Sequence, residues 1–101
     1  MIGILVVTHG NLGKELLKSA ELIVGTQNNT LALGLFHGDS IDQFREKVID
    51  AVESLDDGDG VLIFADLYGG SPSNIIALSM KEICERHITE CITGVNLPMV
   101  L

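Results

Sequence analysis

The run Ile2–Val7 limits what this chain can fold into more than any other stretch. It is almost wholly apolar and rich in β-branched residues, and Val61–Ala65 is a second run of the same kind. Strands of that composition are buried on both faces, which points to a parallel sheet covered by helices. The segments between the runs carry a different period. After His9, the residues Leu12, Leu16, Leu17, Ala20, Ile23 and Val24 recur at helical spacing, and Gly25 follows the last of them, as a helix end prefers. Thr30–Phe36 reads as a second strand that Gly34 weakens. Ser40 with Gln43 is a capping-box pattern, and Ile41, Phe44, Val48, Ala51, Val52 and Leu55 mark one helix face. Beyond the third strand, Ser71 and Pro72 suit the cap and first position of a helix that runs to about Arg86. Ile88–Val95 reads as a fourth strand, and Asn96-Leu97-Pro98 as a turn.

Strand and helix therefore alternate along the whole chain. That pattern implies an α/β fold with a doubly wound, flavodoxin-like parallel sheet, strand order 2-1-3-4, and helices on both faces. The 101 residues suffice for one domain, residues 1–101, and not for two. A net charge of −8 argues against a general nucleic-acid or anionic-membrane binder. No apolar run approaches the roughly 18 residues of a membrane span, and no basic leader with a cleavage site opens the chain. Cys84 and Cys91 read as free thiols packed as small hydrophobes, so the expected compartment is a reducing cytoplasm.

In the order 2-1-3-4, the first and third strands are neighbours, and ligands meet such sheets beyond the carboxyl ends of the strands at this switch point. Thr8-His9-Gly10 follows the first strand and Asp66 follows the third, so the topology brings His9 and Asp66 together. A carboxylate beside an imidazole fixes which ring nitrogen carries the proton and makes the other a directed nucleophile. Gly69-Gly70-Ser71-Pro72 leads into a helix start, where free backbone N–H groups favour an anion such as phosphate. A nucleophilic histidine, an orienting aspartate and an anion cradle suit phosphoryl transfer. The candidate catalytic residues are His9 and Asp66, and the candidate phosphate-binding residues are Gly10, Gly69, Gly70, Ser71 and Ser73. His37 reads as a solvated loop residue, and Tyr68 as a surface or partner-contact residue.

Thr8-His9-Gly10, Asp66 with Gly69-Gly70-Ser71-Pro72-Ser73-Asn74, and Gly94-Val95-Asn96-Leu97-Pro98-Met99 resemble the IIA domain of the mannose family in the bacterial sugar phosphotransferase system. The resemblance covers essentially the whole chain. It implies that His9 accepts phosphate from the phosphocarrier protein HPr and passes it to a histidine of a IIB domain. The IIB domain then phosphorylates the sugar entering through the membrane permease domains IIC and IID. It implies that Asp66 orients His9 and leaves Nε2 to carry the phosphate. It also implies a cytoplasmic homodimer, peripheral at the inner membrane face through the permease, with no cofactor and no metal. Family members continue past the Asn-Leu-Pro-Met segment into a C-terminal helix, which this sequence is expected to lack.

Two other classes share parts of this pattern. Tetrapyrrole metal-chelatases also place a histidine-glycine pair after a first strand, with His9 then a metal ligand or base; His9, His37 and Asp66 are the available donors. Against this, a chelatase needs a large pocket, and this chain is short. A flavin or nucleotide module would want a hydroxyl-rich first loop, which His9-Gly10-Asn11-Leu12-Gly13 is not. The phosphotransfer subunit of dihydroxyacetone kinase is a relative that usually lacks Gly-Gly-Ser-Pro.

Overall fold

The computed structural model describes residues 2–66, 74–76, 89–95 and 97–100. Its strands are β1 (Gly3–His9), β2 (Thr30–Leu35), β3 (Val61–Ala65) and β4 (Thr89–Ile92). All pairs are parallel, and the order is β2-β1-β3-β4, the doubly wound, flavodoxin-like arrangement. The two helices between the first three strands are α1 (Leu12–Val24) and α2 (Ile41–Leu55).

Alternation along β1 decides which helix each side chain meets. Leu5 and Val7 point to one face, where Phe44, Val48, Ala51, Val52 and Leu55 of α2 bury them together with Ile63 and Ala65. Val6 and Thr8 point to the other face, toward α1. A side chain at Gly13 would stand 3.0 Å from Val6 Cγ1 and 3.2 Å from Thr8 Oγ1, so only glycine lets α1 seat this closely. Helices thus cover both faces.

Local chemistry ends these helices where the sequence predicts. Ser40 Oγ accepts a hydrogen bond from Gln43 N–H at 3.3 Å, which caps α2. Gly25, at φ +83°, lies just past α1, and its N–H donates to the Glu21 carbonyl.

The structure differs from expectation in several places: β1 runs on through Thr8 to His9, and Ile41 of the expected α2 face is exposed. β4 is shorter than Ile88–Val95, because Gly94 takes φ +77° and turns the chain out of the ladder. Val95 N–H still donates to the Ala65 carbonyl at 3.1 Å, so the segment returns to the end of β3. Leu97–Val100 is a short helix instead of a turn and a tail, with Pro98 in its first turn, where a missing N–H costs little. Finally, Leu12, Ile23 and Val24, expected to face inward, are exposed; of α1 only Gly13 and Ala20 are buried. The helix lies over edge strand β2, whose side chains are themselves only partly covered.

Residues 74–76 are helical, and Ile75 and Ile76 join the core on the α2 side. The rest of the expected third helix, with Cys84, lies outside the described residues, as do His87 and Ile88. No helix among the described residues is long and apolar enough to cross a membrane.

Candidate functional site

Val7 of β1 is level with Ala65, the last residue of β3, and β1 runs on beside β2 to His9. Asp66 follows at once, and His9 stands two residues beyond Val7. The aspartate grips the histidine twice. Its Oδ2 accepts a hydrogen bond from the His9 backbone N–H at 2.9 Å and lies 2.8 Å from His9 Nδ1. An ionised carboxylate only accepts, so the hydrogen of that second bond belongs to Nδ1. The Asp66 side chain is 8% exposed, whereas that of His9 is 48% exposed. No hydrogen bond is made to Nε2 among the described residues. The arrangement is a half-exposed imidazole tethered through Nδ1.

The backbone around His9 is pinned as well. Gly10 N–H donates to the Leu35 carbonyl at 2.9 Å, with Gly10 in the left-handed region at φ +55°. A side chain on Gly34 would fall onto the Gly10 carbonyl oxygen. The glycine that seemed to weaken β2 therefore allows one backbone to pass over another. Thr8 enters the sequence reading only as part of Thr8-His9-Gly10, with no role of its own, yet it is fully buried and its Oγ1 accepts a hydrogen bond from Gly13 N–H at 2.8 Å. The available signal was a hydroxyl closing an otherwise apolar run.

Beside His9 lies an open cleft of about 510 Å³, walled by Leu35, Phe36, His37 and Ile41. The structure thus brings His37 to the same cleft as His9. Asp39, also on this loop, accepts a hydrogen bond from Phe36 N–H at 2.7 Å and so shapes the turn. Tyr68, Gly69, Gly70, Ser71 and Ser73 lie outside the described residues. Among the described residues, no group of three or more histidine, cysteine or acidic side chains could hold a metal ion. On β4, burial pushes the Cys91 thiol above its usual range.

Comparison with known proteins gives concordant results. The EIIA-man family, described as "PTS system fructose IIA component", matches residues 3–101. The mannose-specific EIIAB component of Escherichia coli strain K12 is 34% identical over 100 residues; the match takes in 99% of this chain and 30% of that protein's length. The fructose-specific EIIA component of Bacillus subtilis is 33% identical over 101 residues, matching 100% of this chain and 67% of its own. Among solved structures, the phosphotransferase system component EIIA from Streptococcus agalactiae superposes with a TM-score of 0.86 at 31% identity, covering 99% of this chain and 74% of that one.

Proposed function

The chain belongs to the EIIA-man family of phosphotransferase-system IIA components, and from that premise we propose that it is a histidine phosphoryl carrier in sugar uptake. Membership supports a phosphotransfer role in general. The finer reading is that His9 takes a phosphoryl group from phospho-HPr and passes it to a histidine of a IIB domain, for delivery to sugar at the IIC and IID permease domains. The observation that carries it is the 2.8 Å approach of Asp66 Oδ2 to Nδ1 of a half-exposed imidazole.

The chemistry follows from that contact. With the hydrogen held on Nδ1, the lone pair of Nε2 points away from Asp66. It forms the new N–P bond as the bond between phosphorus and the donor breaks, and that electron pair leaves with the donor. The ring then carries positive charge, which the Asp66 carboxylate stabilises from the far side. Positioning and charge stabilisation supply most of the catalysis in such transfers. Gly69, Gly70, Ser71 and Ser73 are our candidates for holding the phosphoryl oxygens through backbone N–H and hydroxyl groups, and Gly10, whose own N–H is held by the Leu35 carbonyl, for letting the phosphoryl group come close.

We further read residues 1–101 as one phosphotransfer domain, working as a homodimer in the cytoplasm and reaching the membrane only through the permease. HPr docks over the edge formed by the loops after β1 and β3, because phosphorus must arrive in line with Nε2. The charge of −8 steers a donor with a basic face, so association slows as salt rises.

The test is incubation with Enzyme I, HPr and labelled phosphoenolpyruvate. The parent protein takes up label and His9→Ala does not, while variants of His37 and His87 label normally. Persistent labelling of a folded His9→Ala protein rejects the assignment.

A further inference from the structure

We propose that Thr8 is a positioning residue for His9, acting through the amide of Gly13. The inference rests on the reading of His9 as phosphoryl acceptor, and it adds to that site a residue that never meets the phosphate.

Thr8 is the one polar residue among the described residues that is buried as a whole, with no exposed surface. Packing alone does not ask for it, because valine would fill the same space in β1 and suit a strand equally well. What valine lacks is the oxygen that accepts the Gly13 N–H at 2.8 Å. That bond closes a loop running from Thr8 to Gly13, and His9 lies inside it. Asn11, at the capping position of α1, makes no side-chain cap. The hydroxyl therefore satisfies an orphan N–H of the first helical turn from the strand side. Gly13 matches it, since any side chain there would crowd Thr8 Oγ1 and Val6.

The loop has few other restraints. Gly10 N–H holds to the Leu35 carbonyl, and His9 N–H holds to Asp66 Oδ2. Among the described residues the imidazole itself has one bond, from Nδ1 to the same carboxylate oxygen. It is half exposed, so packing restrains it less than it restrains a core side chain. Without the Thr8 tie, the start of α1 moves relative to β1. The loop follows, and the Nδ1–H bond to Asp66 weakens. Displacements of about 1 Å cost transfers of this kind up to roughly a hundredfold.

The experiment compares the parent with Thr8→Val and Thr8→Ser. Nitrogen NMR of the neutral His9 ring reports which nitrogen carries the hydrogen, with no phosphate present. The parent and Thr8→Ser hold it mainly on Nδ1. Thr8→Val shifts it toward the Nε2–H form, and its transfer rate from phospho-HPr falls roughly tenfold. Thr8→Ser stays within about twofold of the parent, rescued by its hydroxyl. Val48→Ala, a destabilising change in the distant core, lowers the melting temperature and leaves the His9 signals alone.

Parent-like ring signals and transfer rate in Thr8→Val overturn the proposal, as does a Thr8→Ser protein that behaves like Thr8→Val. Should Thr8→Val not fold, a synthetic chain with glycolic acid in place of Gly13 removes the N–H donor and adds no bulk. The same ring shift is then expected, and its absence rejects the proposal. A ring shift in a family of variants whose parent takes no label from HPr would leave the positioning role standing and sink the phosphoryl reading.

Discussion

On the α2 face of the sheet, Phe44, Val48, Ala51, Val52 and Leu55 are buried against Leu5, Val7, Ile63 and Ala65. On the α1 face, only Gly13 and Ala20 of the helix are buried, and Leu22 is 90% exposed. One helix is held by large apolar side chains. The other buries only small residues fully, half-buries Leu16 and Leu17, and adds a polar tie from Thr8. The difference separates two jobs. Apolar burial on the α2 side supplies most of the stability, at about 25 cal/mol per Å². The start of α1 supplies the support beneath His9. Site and scaffold can therefore be disturbed independently.

The strongest way to break this comparison is Phe44→Ala. It opens a cavity in the packed face and should cost about 3–5 kcal/mol in chemical denaturation. A loss below about 1 kcal/mol would show that the α2 face is not the main support. Next in size is Asp66→Asn, which keeps the side-chain shape and removes the charge. Transfer from phospho-HPr should fall at least tenfold, equivalent to about 1.4 kcal/mol in the barrier, with circular dichroism unchanged. An unchanged rate would make Asp66 a turn residue only. Leu22→Ser sharpens the contrast from the other side. Its stability should stay within about 0.5 kcal/mol of the parent, and a larger loss would mean that α1 carries hidden packing.

The smallest effect concerns Cys91, whose thiol burial holds above the usual range. A raised value in the folded state adds stability below the unfolded thiol's own range, and that stability is lost as pH rises through the folded value. At about pH 9, alkylation of the Cys91 peptide, read by mass, should be slower in folded protein than in denaturant. Equal rates would show that β4 does not shield it.

Much of this architecture was legible in the residues. The apolar runs and the helical period place β3, α1 and α2 closely and miss only end residues of β1 and β2, because burial on both faces and on one face leave different patterns. The strand order followed from the alternation, and with it the meeting of His9 and Asp66. The end of β4 did not, because β-branched Thr93 and Val95 flank Gly94 as they would in a strand, while the backbone turns there. The exposure of Ile23 and Val24 was hidden for another reason. Spacing says which residues share a helix face, and not how far the sheet extends beneath it. Gly34 and Thr8 were missed because their roles depend on approaches through space, to the Gly10 carbonyl and the Gly13 amide.

The most direct measurement is to phosphorylate the protein with HPr and identify the modified atom by phosphorus and nitrogen NMR. Orientation by Asp66 predicts phosphate on Nε2 of His9, with the Nδ1 hydrogen retained toward the carboxylate. Phosphate on Nδ1, or on any residue other than His9, would contradict it.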